Sequence, residues 1–134
     1  MCRKGCENLK KIVLFAVVSA FLLSACGSNK IDDTTAKLYS DKAERIVSLL
    51  HEENFDEMRT MFDEAMKEAM PVEQLQVIAD IVKESGEFVR FENSSSSLRE
   101  GYYIINLVTA YSKYRRVYTL TFDDQQRMAA FHVK

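Results

Sequence analysis

The spacing of apolar residues changes from helical to alternating at Gly86, and this change constrains the fold more than any other feature of the sequence. Before Gly86, apolar side chains recur at intervals of three and four residues, as on one face of a helix. After Gly86 they alternate with polar side chains, as on the two faces of a strand. Helices followed by strands predict an α+β domain, in which the helices pack on an antiparallel sheet.

Three helical stretches are predicted before Gly86. Asp33 or Thr34 can cap the first, Asn54 can cap the second, and Pro71 suits the first turn of the third. Ser85-Gly86 ends the third stretch, because glycine tolerates the left-handed conformation that often follows a helix. The core-facing candidates on these stretches are Tyr39, Ala43, Ile46, Val47, Leu50, Phe55, Met58, Met61, Phe62, Met66, Met70, Leu75, Ile78, Ala79 and Val82.

Four strands are predicted after Gly86. The run from Gly101 to Tyr111 is largely apolar on both sides, which favours a central strand. The serine tract Ser94 to Ser97 is predicted to be a loop, and Asp123 to Gln126 has the length of a hairpin connection. The predicted strands span residues 87–93, 101–111, 116–122 and 128–133.

The first 25 residues have the organisation of a secretory signal peptide. Four basic residues and one acidic residue precede the uncharged run Ile12 to Leu23. A helix of twelve residues rises only about 18 Å, which is too short for a hydrocarbon core of about 30 Å. We therefore expect residues 1–25 to be removed rather than to span the membrane.

The sequence Leu23-Ser24-Ala25-Cys26-Gly27 resembles the lipobox of bacterial lipoproteins. The resemblance implies cleavage between Ala25 and Cys26, a diacylglycerol on the Cys26 thiol, and further acylation by fatty acids such as palmitate. The predicted organisation is a signal peptide over residues 1–25, a lipidated cysteine and tether over residues 26–33, and an α+β domain over residues 34–134. We expect the protein to sit on the outer face of the cytoplasmic membrane.

Cysteine use and charge exclude several classes of function. All three cysteines lie within the first 26 residues, so the domain has neither a disulfide nor a cysteine-ligated metal site. We expect no metal and no cofactor. Loss of residues 1–25 removes four basic residues and one acidic residue and leaves a net charge of −5, which disfavours nucleic acid as a partner. The basic run Lys113-Tyr114-Arg115-Arg116 is interpreted as a solvated hairpin end, and the alternative hypothesis is that it rests on anionic lipid or wall polymer.

The order of elements and several short motifs resemble the bacterial domain-of-unknown-function family 3887 over about residues 36–134. That family occurs in small lipoproteins of Gram-positive bacteria and shares the cone-shaped α+β fold of nuclear transport factor two and ketosteroid isomerase. The resemblance implies helices packed on a curved antiparallel sheet of about four strands. The motifs are Phe55-Asp56-Glu57-Met58, Phe62-Asp63, Pro71-Val72-Glu73-Gln74-Leu75, Gly86-Glu87-Phe88 and Phe122-Asp123-Asp124.

No acid-base pair suited to catalysis is evident in the predicted strands. Enzymes of the cone-shaped fold place a carboxylate or histidine inside the cone, and here the strand-borne base is His132. We therefore predict binding rather than catalysis, with no catalytic residue assigned. The candidate pocket residues are Tyr103, Asn106, Tyr118 and His132.

Partners and alternative functions follow from the same features. The predicted partners are membrane lipid, through acylated Cys26, and a small ligand or envelope protein. One alternative is a structural or dimerisation module that forms a homodimer through the outer face of the sheet. Another is a small isomerase or lyase, which requires His132 to point into an interior cavity as a base.

Overall fold

A computed structural model of the protein describes residues 29–134, which form four helices followed by a four-stranded antiparallel sheet. The strands are ordered β1-β2-β3-β4, with β1 and β4 at the edges, so the sheet is open. This architecture confirms the predicted α+β fold. The signal peptide and Cys26 lie outside the described residues. The helices are α1 Asp33–His51, α2 Phe55–Thr60, α3 Glu64–Ala69 and α4 Val72–Lys83, and the strands are β1 Phe88–Arg99, β2 Tyr102–Tyr111, β3 Arg115–Phe122 and β4 Met128–Val133.

Helix α1 is the longest helix of the described chain and lies across the sheet. Its N-cap is Asp32 rather than the predicted Asp33 or Thr34, and the Asp32 carboxylate accepts a hydrogen bond of 2.9 Å from the Thr35 amide. The predicted apolar stripe is buried against the sheet. All of its predicted members on this helix, Tyr39, Ala43, Ile46, Val47 and Leu50, are buried, and so is Leu49, which flanks the stripe.

The second predicted helical stretch is divided into α2 and α3. The Met128 amide at the start of β4 donates to the Met61 carbonyl at 2.8 Å, and the Asp63 amide donates to the Met128 carbonyl at 2.9 Å. This pairing takes the backbone out of the helix, and Asp63 then caps α3 by accepting from the Met66 amide at 2.7 Å. The apolar spacing continues through the break, so the spacing alone does not reveal it.

The prediction that Ser94 to Ser97 form a loop is wrong. These serines continue β1, with Ser94 opposite Leu107 and Ser97 opposite Ile104. Because β1 is an edge strand, its backbone pairs with β2 alone, and none of the four serines is fully buried: Ser94 and Ser95 are exposed, and Ser96 and Ser97 are half-buried. Irregular pairing near Phe88 and near Phe91 marks bulges that the sequence pattern did not predict.

One hydrophobic core joins the helices to the sheet. The sheet has an inner face toward the helices and an outer face away from them. Ile105, Leu107, Leu120 and Phe122 are fully or almost fully buried on the inner face, against core residues from every described helix. Within residues 29–134, no helix is both long enough and apolar enough to cross a membrane.

The sheet has two opposite ends. The Asn29 end comprises Asn29, the start of α1 and the β1–β2 turn, and there the ring of Tyr39 stacks on that of Tyr103 with centroids 4.2 Å apart. The His51 end comprises the end of α1, the end of α4 and the β2–β3 turn over residues 112–114. Helix α1 runs from the first end to the second, and its nineteen residues give a length of about 28 Å.

Candidate functional site

The four predicted pocket residues do not lie together. Tyr103 and Tyr118 are on the inner face, whereas Asn106 and His132 are on the outer face. Successive side chains of a strand point to opposite faces, and Asn106 is three residues from Tyr103, so the two cannot share a face of a regular strand. The predicted pocket is therefore not formed.

His132 is exposed on the outer face of β4, directly opposite Thr119. Thr119 in turn donates to the Asn106 side-chain oxygen at 2.8 Å, which completes a polar row across three strands. Because the imidazole faces solvent, His132 cannot act as a base inside the domain. This placement removes the basis of the isomerase or lyase hypothesis.

The structure instead brings together five polar residues at the His51 end of the inner face, which we call the His51 cluster. The imidazole Nε2 of His51 lies 2.6 Å from the Tyr111 hydroxyl, which is also hydrogen-bonded to the hydroxyl of Tyr118. Tyr118 is fully buried, and Tyr111 is 7% exposed. The members of the cluster are His51, Thr109, Tyr111, Arg116 and Tyr118.

Burial keeps these hydrogen-bonding groups uncharged. Burial lowers the pKa of His51 below its usual value and raises the pKa of Tyr111 to about 12. The pKa of Tyr118 is raised as well, first by burial and then by its hydrogen bond to Tyr111. An arrangement in which Tyr118 donates to Tyr111, and Tyr111 donates to an unprotonated Nε2 of His51, gives each of these three groups a hydrogen-bond partner.

Thr109 lies beside this hydrogen-bonded chain and is fully buried. Within the described part of the chain, its hydroxyl has no hydrogen-bond partner. Since an unsatisfied buried hydroxyl costs about 1 to 3 kcal/mol, such a group is rare in a folded protein and calls for an explanation.

Arg116 is directly opposite Thr109 in the β2–β3 ladder. Its Nε donates to the Ser85 hydroxyl at 2.6 Å, and a terminal nitrogen donates to the Ile81 carbonyl at 3.4 Å. None of the ion pairs formed among residues 29–134 includes Arg116. The cluster thus carries one positive charge that no carboxylate of the described chain neutralises at close range.

Aromatic side chains border the cluster on the β1 side. The Phe88 ring is 5.1 Å from the His51 ring and 5.0 Å from the Phe91 ring, measured between centroids. Phe88 is 44% exposed, so this border reaches the surface of the molecule. An apolar wall beside a few convergent polar groups is the usual composition of a small-molecule site.

The cluster can bind a ligand through its own uncharged hydrogen-bonding groups and through one cationic side chain, Arg116. Its tyrosines are protonated, and its imidazole is already hydrogen-bonded to Tyr111. Within residues 29–134, no three His, Cys, Asp or Glu side chains are placed to hold a metal ion together.

The basic run at residues 113–116 does not form one cationic surface. Arg115 pairs with Glu92, at 2.7 Å between Nε and Oε2, and Arg116 turns inward toward α4. Exposed Lys113 remains at the β2–β3 turn.

Four members of the cluster carried a sequence signal for the face or the element end on which they lie. Thr109 and Tyr111 have the same strand parity as buried Ile105 and Leu107, so alternation places them on the inner face. His51 ends the apolar stripe of α1, and Arg116 begins the alternating face of β3. Nothing in the sequence indicates that His51 meets Tyr111 or that Arg116 meets Ser85, because these contacts join positions 60 and 31 residues apart.

Comparisons with known proteins support the fold. A family model described as "Protein of unknown function (DUF3887)" matches residues 43–131. The solved structure described as the NMR structure of a protein from Ruminococcus gnavus ATCC 29149 is similar to this chain, with a TM-score of 0.64 at 16% sequence identity. The similarity covers 76% of this chain and 90% of that one, and at this identity it shows the fold alone. No curated protein matches the sequence.

Proposed function

Because the chain belongs to the DUF3887 family of proteins of unknown function, we propose a function from its own residues. The protein is a lipoprotein anchored on the outer face of the bacterial cytoplasmic membrane. Its α+β domain binds a small ligand at the His51 cluster and catalyses no reaction.

The proposed anchor is supported by Cys26 and the residues before it. A short apolar run, a cationic start and a lipobox-like sequence occur together and in the required order. Each buried methylene contributes about 0.8 kcal/mol, so two or three acyl chains hold a protein stably where one chain does not.

The proposed binding site is supported above all by Thr109. Its fully buried hydroxyl lacks a partner among residues 29–134, and it faces an arginine that makes no ion pair there. A ligand with an acidic group would satisfy the hydroxyl and compensate the charge of Arg116. A flat apolar part of the same ligand would fit against Phe88. We therefore propose a small carboxylic or phosphoric acid with an apolar body.

A thermal-shift screen of such acids tests the binding proposal. A ligand that binds the folded state raises the midpoint of wild-type unfolding. The variants Thr109→Val and Arg116→Gln should lose the shift, while Thr121→Val and Arg99→Gln, which change the same residue types away from the cluster, should keep it. A shift that survives in Thr109→Val and Arg116→Gln would place the ligand elsewhere.

Fractionation of the native host tests the anchor. Wild-type protein should partition with the membrane and carry acyl groups on Cys26, as measured by mass spectrometry, whereas Cys26→Ser should lose the acyl mass. Wild-type protein that retains residues 1–25 and an unmodified Cys26 would contradict the proposal.

A homodimer through the outer face is a second candidate. Val108 and Val117 are direct neighbours there, and both are only half-buried, as is Ile104. In this alternative, Val108→Lys converts a dimer to a monomer in sedimentation experiments, because it places a charge in the interface.

A further inference from the structure

Asn29 fixes where the chain leaves the domain and in which direction it runs. It pairs antiparallel with Leu98, near the end of edge strand β1. Strand β1 runs from the His51 end to the Asn29 end, so the backbone at Asn29 runs the opposite way, parallel to the course of α1. The N-terminal side of Asn29 therefore faces the β1–β2 turn.

Cys26 is only three residues before Asn29. Three extended residues span at most about 10 Å. A lipid attached to Cys26 must therefore begin within that distance of Asn29. On the N-terminal side of Asn29, the nearest surface of the domain is the β1–β2 turn.

We propose that the β1–β2 turn rests on the headgroup region of the membrane and that the His51 end points away from it. This orientation depends on the proposed lipid anchor. The membrane-facing surface consists of Arg99, Glu100, Gly101 and Tyr102, together with Lys30.

Tyr102 gives this surface an interfacial side chain. It is 45% exposed and directly follows the turn. Tyrosine is enriched at the level of lipid headgroups, where its ring is partly in apolar surroundings and its hydroxyl remains hydrated. The charges of the turn nearly cancel, since Arg99 and Lys30 are close to Glu100 and Asp32 along the chain. The short connection to Cys26, rather than charge, sets the orientation.

The orientation keeps the proposed ligand site clear of the membrane. The His51 end is separated from the Asn29 end by the length of α1, about 28 Å. That distance exceeds the electrostatic screening length of about 8 Å at physiological ionic strength. In this orientation the basic run at residues 113–116 is too far from the lipid to rest on it, which favours a solvated hairpin end over the alternative of lipid contact.

Site-specific fluorescence tests this orientation. Residues 27–134 contain no cysteine, and acylation blocks the Cys26 thiol, so one introduced cysteine gives a single labelling site. Arg99→Cys at the β1–β2 turn and Lys113→Cys at the β2–β3 turn are matched, since both replace an exposed basic residue beside a turn. Each lipidated variant is labelled with a fluorophore. It is then reconstituted, in one orientation, in phosphatidylcholine–phosphatidylglycerol vesicles that carry a nitroxide on the lipid headgroup.

The label at position 99 should be quenched several-fold more strongly than the label at position 113. Insertion of twelve Gly and Ser residues between Ser28 and Asn29 keeps the anchor but lengthens the connection by about 20 Å, and it should reduce the difference. Equal quenching at the two positions, or stronger quenching at position 113, would overturn the orientation while leaving the anchor intact. Protein that does not float with the vesicles would refute the anchor, and with it the orientation.

Discussion

Tyr111 is the central residue of the His51 cluster, because its hydroxyl joins the imidazole of His51 to the hydroxyl of Tyr118. Tyr111→Phe leaves both neighbours without a partner, whereas Tyr118→Phe leaves the Tyr111–His51 bond in place. We expect Tyr111→Phe to lower the free energy of unfolding by about 2 to 3 kcal/mol and Tyr118→Phe by about 1 kcal/mol. Urea denaturation measures both values.

Tyr102→Phe is the control for the Tyr111→Phe and Tyr118→Phe variants. Because Tyr102 is exposed, loss of its hydroxyl should change the free energy of unfolding by less than about 0.5 kcal/mol. An equal or larger cost for Tyr118→Phe would show that the hydroxyl of Tyr118, not that of Tyr111, holds the chain of hydrogen bonds together.

His51 makes stability depend on pH in a predictable direction. Burial lowers its pKa in the folded state below the ordinary value of 6.5, so the unfolded chain takes up a proton first as the pH falls. The contribution of His51 is fully present above about pH 6.5 and is lost as the pH falls toward its folded pKa. Thermal unfolding between pH 7 and about pH 5.5, above the range in which most carboxylates titrate, should show this loss.

His51→Gln should flatten that dependence, since glutamine can still hydrogen-bond to Tyr111 without titrating. The matched control is His132→Gln, which changes the exposed imidazole on the outer face and should leave the dependence in place. If the pH dependence persists in His51→Gln, other groups cause it.

At the scale of single residues, the sequence predicts which side chains are buried but not which side chains they hydrogen-bond to. Alternation correctly places Tyr103 and Tyr118 on the inner face, because the period of a strand is fixed by its backbone. The same rule, applied to Asn106, would have excluded it from the predicted pocket. The hydrogen bonds of His51 and Arg116 depend on how α1 and α4 pack over the sheet, which no local pattern encodes.

At the scale of elements, two glycine turns provide a matched test. Gly86 and Gly101 both have a positive φ, of 90° and 81°. A Cβ at Gly86 would overlap the Ser112 hydroxyl oxygen, which accepts a hydrogen bond from the Glu87 amide at 3.0 Å, whereas a Cβ at Gly101 has no atom within 4 Å.

We expect Gly101→Ala to cost about 1 kcal/mol, the conformational penalty alone, and Gly86→Ala to cost about 3 kcal/mol, since it also displaces Ser112. Chemical denaturation of the two variants gives the comparison. Equal costs would mean that Ser112 moves aside freely and that its hydrogen bond to Glu87 contributes little.

The sequence predicts the helices and strands that local residue spacing determines. It does not predict the features that depend on pairing between distant parts of the chain. The extent of α1 and the positions of β2, β3 and β4 follow, to within one or two residues, from apolar spacing and alternation. The break between α2 and α3 depends instead on Met128, which is more than 60 residues away in the sequence. Likewise, the serine tract is a strand only because β2 pairs with it. Serine has little strand preference of its own, so composition predicted a loop.

At the scale of the whole molecule, one core connects the Asn29 end to the His51 end. Buried residues from all four described helices and from β2, β3 and β4 form a single cluster, and this cluster contains Tyr39 at one end and Tyr111 at the other. A domain of this size with one core generally unfolds in a single cooperative transition. We therefore expect both ends to unfold together.

This cooperativity can be measured from the exchange of backbone amides near tyrosines that lie at each end of the domain. Amide exchange near Tyr39 and Tyr103 and near Tyr111 and Tyr118, followed by NMR, should give the same free energy of opening as urea unfolding monitored by circular dichroism. Leu107→Ala, in the middle of the inner face, should lower all of these values equally, by about 2 to 5 kcal/mol. A lower value at the His51 end alone would mean that this end opens independently. In that case the domain would not hold the proposed ligand site rigidly away from the membrane, even with the lipid anchor in place.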